Sequence, residues 1–263
     1  MLTEVASGVF VTTSAFMITN TVVIAGADGG CLVIDPAVSV AELAGLASEL
    51  AARGLHPVAG WSTHPHWDHV LWHAALGDVP RYAAPAGVVI TETERDGMVS
   101  SMESSAPGHD LALFGHVTAL DADTIPWHGP TARLVVHDAH APGHGAVFLP
   151  DTGVFAVGDM ISDAEIPLLD TVAGDPMGDY RTGLARLAAV PGVRHVIPGH
   201  GAVGDTAEFR RRIAADEAYL DRLALGKPFD DPRITTDWLR AAHDEHIRYV
   251  QQSGTVRPDY PAE

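Results

Sequence analysis

The stretch STHPHWDHVLWH, at residues 62–73, concentrates side chains that bind metal ions or transfer protons. These side chains are His64, His66, Asp68, His69 and His73. In an extended segment, residues i and i+2 point the same way, so His64 and His66 can share one ion. Asp68 and His69 follow the point where the chain turns into a predicted helix, and they point elsewhere. The stretch therefore predicts two ligands for one metal ion and two for a second.

Three downstream runs with the composition of β-strands also end in ligand-type residues. RLVVHDAHAPG leads to His144, GVFAVG leads to Asp159, and VRHVIPG leads to His200. A glycine immediately precedes each of the three, and glycine permits the close backbone approach that a crowded site needs. If these strands end at one edge of their sheets, the ligands converge there.

The combined set predicts two metal sites that share one carboxylate. The predicted ligands are His64, His66 and His144 for the first ion, and Asp68, His69 and His200 for the second. Asp159 has two carboxylate oxygens and is predicted to bridge both ions. Imidazole and carboxylate ligands suit zinc, and also iron, manganese or cobalt. We therefore expect two divalent metal ions, with Zn²⁺ as the first choice and Fe or Mn as alternatives.

Other histidines are given structural interpretations. His137 and His140 precede His144, and we interpret them as surface residues, with contact to a metal ligand as the alternative. His73 lies four residues after His69, so helical packing explains it better than metal binding.

The composition restricts the class of partner. The 263-residue chain is 46% apolar, as expected for a globular protein with a sizeable core, and its net charge is −18. Such a charge repels phosphate backbones, so we expect a small-molecule substrate and no nucleic acid. Cys31 has no partner for an intrachain disulfide, and no apolar run is long enough to span a membrane. The absence of a charged N-terminal leader favours a cytoplasmic location.

The secondary-structure pattern predicts two halves, each with strands followed by helices. In the first half, strands are expected over 8–13, 15–26, 31–35 and 57–63, and helices over 40–54 and 69–76. Ser39 and Glu42 form a predicted capping box at the start of the helix over 40–54. The second half predicts strands over 132–139, 146–150, 153–159 and 194–200, with helices over 179–190, 206–225 and 235–252. Residues 91–130 lack a clear period and are predicted to be a connecting segment, with part of a pocket wall or lid as the alternative role.

Four motifs together resemble the metallo-β-lactamase-fold hydrolases: THPHWDH (63–69), PGH (142–144), VGD (157–159) and PGH (198–200). The resemblance implies an α/β fold with a four-layer αββα sandwich and a dinuclear site at one edge. It implies the same ligand assignment as above and a structural or ligand-supporting role for Asp35. We expect one domain over 1–263, with a helical segment over 205–253 packed on it.

The retained aspartate at the bridging position is more similar to glyoxalase-II-type thioesterases and lactonases than to members with a cysteine ligand. The resemblance implies a hydrolase acting on the carbonyl of a small ester, lactone, thioester or β-lactam-like amide. Metal ions lower the pKa of bound water to about 7, which supplies a nucleophile at neutral pH. The alternatives are a small-substrate phosphodiesterase, a mononuclear iron dioxygenase, and a metal-containing ligand-binding protein without turnover.

Asp68 is the predicted catalytic residue, since it can orient the nucleophile and relay its proton. Specificity is assigned to 91–130 and to the loop over 160–175, where four apolar residues are expected to form a wall: Met160, Ile161, Ile166 and Leu168. Asp163 and Glu165 in that loop are interpreted as solvated acids, with recognition of a polar group as the alternative.

Overall fold

Two β-sheets lie face to face between helices in the computed structural model, which describes residues 1–36 and 38–253. The last ten residues of the predicted domain, 254–263, and residue 37 lie outside the described residues. The first sheet has strands in chain order: β1 (Thr3–Ala6), β2 (Val9–Thr13), β3 (Asn20–Ala25), β4 (Gly30–Ile34), β5 (His56–Trp61), β6 (Arg81–Ala83) and β7 (Thr118–Ala119).

The second sheet is built by the later part of the chain. Its order is β12-β11-β10-β9-β8, from β8 (Arg133–His137), β9 (His144–Leu149), β10 (Val154–Gly158), β11 (His195–Pro198) and β12 (Gly204–Asp205). The helices are α1 (Val40–Ala52), α2 (Pro85–Thr93), α3 (Arg95–Ser105), α4 (Pro176–Ala188), α5 (Thr206–Leu223) and α6 (Asp237–Ser253).

Alternating side chains divide the core into three apolar layers. In β3, Val22 and Ile24 face the layer between the sheets, whereas Val23 faces the layer beneath α1. In β10, Val154 faces the layer between the sheets, and Phe155 faces the layer beneath α4 and α5. Because successive strand residues point to opposite faces, strands buried on both sides read as continuous apolar runs. Four layers of structure around three layers of core confirm the predicted αββα sandwich.

The predicted capping box begins α1. Ser39 Oγ accepts a hydrogen bond from the Glu42 backbone N–H at 3.2 Å, and the Glu42 carboxylate accepts one from the Ser39 N–H at 3.0 Å. Glu42 also accepts a hydrogen bond from Ser14 Oγ at 2.8 Å, which attaches the helix start to the loop after β2. Two orphan N–H groups are thereby satisfied, as the sequence predicts.

The helix predicted over 69–76 is wrong. Only a 3₁₀ turn, Ala74–Leu76, forms there, and His73 begins it by accepting a hydrogen bond from the Ala75 N–H. The preceding residues Val70, Leu71 and Trp72 are all buried. An amphipathic helix that packs on a core by one face would expose one of three consecutive residues to solvent. The irregular backbone here allows all three side chains to be buried.

Residues 91–130 contain regular structure that the sequence did not reveal. They hold the end of α2, all of α3 and strand β7. Only Met98 and Met102, one turn apart, are buried in α3, and its remaining residues are mostly polar. Two apolar residues among Ser, Glu and Gly are too few to show the helical repeat of apolar positions by which a helix is recognised in a sequence.

The segment 205–253 packs against the second sheet through α5, and α6 packs on α5. Leu239 and Ile247 of α6 join the apolar layer there. Tyr219 of α5 hydrogen-bonds to His243 Nδ1 at 2.9 Å and to His246 Nδ1 at 3.0 Å, which gives those histidines a structural role. Within the described residues, no helix has the length and apolar character needed to cross a membrane.

Trp61 links the two sheets and gives a test of the central layer. Its buried Nε1–H donates to the Gly145 carbonyl of the opposite sheet at 2.8 Å. Trp61→Phe should lower the free energy of unfolding of the metal-free protein by about 2–4 kcal/mol, since it leaves a buried carbonyl unpaired and a cavity.

Urea unfolding of both proteins measures this difference. The matched control is Trp238→Phe, because Trp238 is 55% exposed. Its replacement should change stability by no more than about 0.5 kcal/mol. Equal stability of wild type and Trp61→Phe would show that the hydrogen bond between the sheets contributes nothing.

Candidate metal centre

The ligand-type residues gather at one edge, where strands from both sheets end. β5 ends at Trp61, three residues before His64, β10 ends directly before Asp159, and β11 ends two residues before His200. β4 pairs parallel with β5, and β10 pairs parallel with β11. Carboxyl ends of parallel strands share an edge, so the fold delivers these side chains to one place.

The first group contains four residues whose ligand atoms all lie within 4.8 Å of one another: His64, His66, His140 and Asp159. His66 Nδ1 lies 3.0 Å from His64 Nε2 and 3.0 Å from His140 Nε2. His140 Nδ1 donates to the Leu168 carbonyl at 3.0 Å, which leaves its Nε2 to face the group. Three imidazole nitrogens and a carboxylate thus converge on one point.

The geometry places His140, rather than His144, in this group. His144 and His137 are paired opposite each other in β8 and β9, so their rings lie on the same side of the sheet. The His144 ring is stacked on His137 and on His64, with ring centroids 4.7 Å and 5.0 Å apart. Both ring nitrogens of His144 are buried without a hydrogen-bond partner among the described residues, and its assignment as a ligand of the first ion stays a prediction. The surface role given to His140 is wrong because that residue is buried.

A hairpin argument from the sequence would have found His140. His137 and His144 flank a turn, and a residue inside that turn lies beyond the strand end, where the other ligands are. The PGH motif drew attention to His144 because it repeats the motif at 198–200, but the two motifs differ in context. His200 follows its strand β11, whereas His144 begins its strand β9.

The second group contains Asp68, His69 and His200, the three residues predicted to share the second ion. Asp68 Oδ2 lies 3.3 Å from His69 Nε2 and 3.2 Å from His200 Nε2. His200 Nδ1 donates to the Met17 carbonyl at 2.8 Å, which directs its Nε2 towards the group.

Asp159 lies between the two groups. Its Oδ2 is 3.4 Å from His64 Nε2 and 3.4 Å from His200 Nε2, and its Oδ1 is 3.3 Å from His69 Nε2. One carboxylate is thus within reach of ions in both groups. A Cβ atom at Gly199 would collide with Asp159 Oδ1, so the glycine before His200 is required by this close approach.

Asp35 orients the segment that carries the first two ligand pairs. This buried carboxylate at the end of β4 accepts hydrogen bonds from the Thr63 backbone N–H at 2.8 Å and from Thr63 Oγ1 at 2.6 Å. It also accepts one from His69 Nδ1 at 2.9 Å, which leaves His69 Nε2 free to face Asp68. A carboxylate that holds the remote nitrogen of a ligating histidine fixes both its tautomer and its ring plane.

The two groups differ in their protonation. Burial lowers the pKa of His64 and of His66, and it lowers the pKa of His140 to about 3, so these imidazoles are neutral at pH 7. Burial also opposes the charged form of His69 and His200, but Asp159 and Asp68 outweigh it and raise the pKa of both histidines. In the metal-free protein the second group therefore carries protons that the first group lacks.

The chemistry of these residues fits divalent cations. Asp68 Oδ2 and Asp159 Oδ1 are buried and lie 3.2–3.3 Å from nitrogens of His69 and His200, without forming a hydrogen bond in the described part of the chain. Buried carboxylates are costly unless they are paired or bind a metal. Nitrogen atoms of three neutral imidazoles face one another at 3.0 Å. They form the kind of donor set that zinc and neighbouring transition metals prefer.

A cavity of 1120 Å³ opens onto both groups, and its lining includes His66, Asp68, His140, Asp159 and His200. Most of the remaining lining comes from α2 and α3, from the loop over 165–173, and from α6, and the rest comes from loops that flank the ligands. Its main side chains outside the two groups are Trp67, Met98, Leu168, Trp238, Glu94, Glu165, Asp170 and Glu245.

The two segments predicted to provide specificity thus contribute to the cavity, and α6 adds a wall that the sequence did not indicate. Leu168 lines the cavity, as expected for the apolar wall. The other three residues of that predicted wall, Met160, Ile161 and Ile166, instead lie in the apolar layer behind it.

Replacement of Asp35 by Asn should weaken metal binding at the second group. The amide cannot accept all three hydrogen bonds that hold Thr63 and His69, so His69 loses its fixed orientation. We expect about a 10–100-fold lower affinity for the second ion. Isothermal titration of the metal-free protein with Zn²⁺ measures both affinities, and unchanged binding in D35N would remove Asp35 from the site.

Loading of the second group should release protons. Because the pKa values of His69 and His200 are raised, both are protonated at pH 7 without metal, and an ion must displace those protons. Affinity for the second ion should therefore rise with pH, while the first ion, bound by neutral imidazoles, depends on pH much less.

Zn²⁺ titrations at pH 7 in two buffers of different ionisation enthalpy count the protons released with each ion. Equal and negligible release for both ions would contradict the protonation assigned to the second group.

The chain matches known proteins across most of its length. Residues 15–220 match the family model of the metallo-beta-lactamase superfamily. A hydroxyacylglutathione hydrolase of Ruegeria pomeroyi is 29% identical over 183 residues, which cover 70% of this chain and 64% of that protein, less than two thirds of its length. A probable metallo-hydrolase of Bacillus subtilis, YqgX, is 25% identical over 188 residues, covering 68% of this chain and 83% of that protein.

Solved structures share the fold. A metallo-beta-lactamase family protein of Thermus thermophilus superposes with a TM-score of 0.70 at 20% identity, and the match covers 97% of each chain. TTHA1623, whose crystal structure is in a di-iron-bound form, superposes with a TM-score of 0.62 at 26% identity over 77% of this chain and 98% of that one. The segment that matches the family model includes every residue of both ligand groups, and the chain belongs to the metallo-beta-lactamase superfamily.

Proposed function

We propose that this protein is a dinuclear metal-dependent hydrolase of small carbonyl substrates. The observation that carries the proposal is the placement of Asp159 between two groups of buried ligand-type residues that open onto one cavity. We assign His64, His66 and His140 to the first ion, and Asp68, His69 and His200 to the second. We propose Zn²⁺ at both positions, with iron or manganese as alternatives.

Two bound cations would supply an activated water and a positive charge that stabilises an oxyanion. The chain itself supplies orientation and proton transfer. Asp68 lines the cavity, and its Oδ2 lies 3.2–3.3 Å from nitrogens of His69 and His200, so this carboxylate can accept a proton and pass it on. Asp35 and the Met17 carbonyl keep His69 and His200 in their tautomers during that transfer.

The charge of the cavity supports a substrate without anionic groups. None of the described residues that line it is Lys or Arg, and four carboxylates outside the two ligand groups line it: Glu94, Glu165, Asp170 and Glu245. Apart from the two ions, an anionic group of a substrate, such as the two carboxylates of a glutathione thioester, would lack a cationic partner there. The lining instead offers contact to an apolar body through Trp67, Met98, Leu168 and Trp238. A neutral ester, lactone or amide fits this lining best.

A hydrolysis screen tests the proposal with the Zn²⁺-loaded protein. The panel contains neutral esters, lactones, thioesters and β-lactams, each paired with an analogue that carries an added carboxylate, and phosphodiesters. We expect at least one neutral carbonyl class to be hydrolysed, with kcat/KM about tenfold or more above its anionic analogue. If phosphodiesters are cleaved best, the protein is a phosphodiesterase and the proposed function is wrong. If no class is turned over, the result favours a metal-containing binding protein.

Asp68→Ala should lower kcat for the best substrate by about 100-fold or more, since it removes the proton-transfer group and one ligand of the second ion. The first ion should remain bound, as measured by the metal content after gel filtration. Asp151→Asn, on an exposed turn between β9 and β10, is the control and should retain full activity. Full turnover by D68A would exclude Asp68 from the mechanism.

A further inference from the structure

Glu165 forms a third group of ligand-type residues with Asp159 and with His200 of the second group. Its carboxylate oxygen, an Asp159 oxygen and a His200 ring nitrogen all lie within 4.8 Å of one another. Two ligand atoms bound about 2.0–2.2 Å from one ion are at most about 4.4 Å apart, so this spacing is close to that of a shared ion. The residue also lines the cavity onto which Asp68, Asp159 and His200 open.

The loop that carries Glu165 is held against His200 by hydrogen bonds. Ser162 Oγ donates to the His200 carbonyl at 2.6 Å and accepts from the Glu165 backbone N–H at 3.1 Å. Asp163 Oδ1 accepts from the Ala202 N–H at 2.8 Å, on the other side of His200. The backbone of Glu165 is thus fixed relative to a ligand of the second ion, as a ligand residue requires.

The Glu165 carboxylate has no other evident role in the folded protein. The residue is half-buried, and no described residue donates a hydrogen bond to its carboxylate or forms an ion pair with it. A desolvated carboxylate without a partner is unfavourable, and a bound cation removes that cost. Glu94, by contrast, lines the same cavity but is exposed and belongs to neither ligand group.

We propose that Glu165 is a ligand of the second metal ion, in addition to Asp68, His69, His200 and the shared Asp159. This inference rests on the two-ion centre of the proposed function. It makes the two positions chemically unequal. Imidazole nitrogens dominate the first, whereas three carboxylates surround the second, and oxygen-rich sites suit Mn²⁺ better than nitrogen-rich ones do. Glu165 therefore allows the second position to accept Mn²⁺ while the first retains Zn²⁺.

The test measures metal binding and is independent of turnover. Metal-free protein receives one equivalent of Zn²⁺ and is then titrated with Mn²⁺, and free Mn²⁺ is followed by electron paramagnetic resonance. We expect the wild type to bind one Mn²⁺, and Glu165→Gln to bind it about tenfold or more weakly, with Zn²⁺ affinity at the first position unchanged. Glu94→Gln removes the same charge from the cavity and should bind Mn²⁺ as the wild type does.

Each outcome has a defined meaning. Equal Mn²⁺ affinity in wild type and E165Q would overturn the assignment of Glu165, as would an equal loss in E94Q, since that loss would come from cavity charge alone. Failure of the wild type to bind a second ion of either metal would instead overturn the two-ion centre. Thermal unfolding of metal-free E165Q is expected at or above the wild-type temperature, because the variant removes a desolvated charge, and this separates lost ligation from misfolding.

Discussion

The position of Asp159 between two groups of buried histidines is the constraint around which the site is arranged. Its oxygens lie 3.3–3.4 Å from nitrogens of His64, His69 and His200, which come from different parts of the chain. Each histidine must therefore present a particular nitrogen to the same small volume. Hydrogen bonds at the opposite ring nitrogens, to Asp35 or to backbone carbonyls, impose that choice on His69, His140 and His200.

The sandwich provides this arrangement through its parallel strand pairs. Both sheets end their central strands at the same edge, and the loops that follow carry the ligands, so the rigid part of the molecule positions side chains that belong to irregular segments. The interior layers serve the same purpose. Trp61 in the central layer donates to a carbonyl of the opposite sheet just beyond His144, and His144 in turn is stacked against the ring of His64.

The sequence alone predicted the layers, the family and six of the seven residues that the structure brings into the first two groups. Strand ends and local spacing were sufficient for His64, His66, Asp68, His69, Asp159 and His200. His140 escaped because its position depends on the pairing of β8 with β9, which is a contact between strands rather than a local motif. For the same reason Glu165 could not be distinguished from a solvated acid, since its placement follows from how Ser162 attaches the loop to His200.

Gly158 and Gly199, the glycines before Asp159 and His200, are required by close contacts with residues of neighbouring strands. Gly199 has an ordinary backbone conformation for any residue, yet a side chain there would collide with Asp159, which follows the adjacent strand β10. A Cβ at Gly158 would in turn lie 2.5 Å from His144 Nε2. The tripeptides VGD and PGH are therefore not independent short motifs. The space that a side chain would take at Gly158 or Gly199 is occupied by a ligand-type residue from another part of the chain. A side chain added at either glycine would therefore displace that residue.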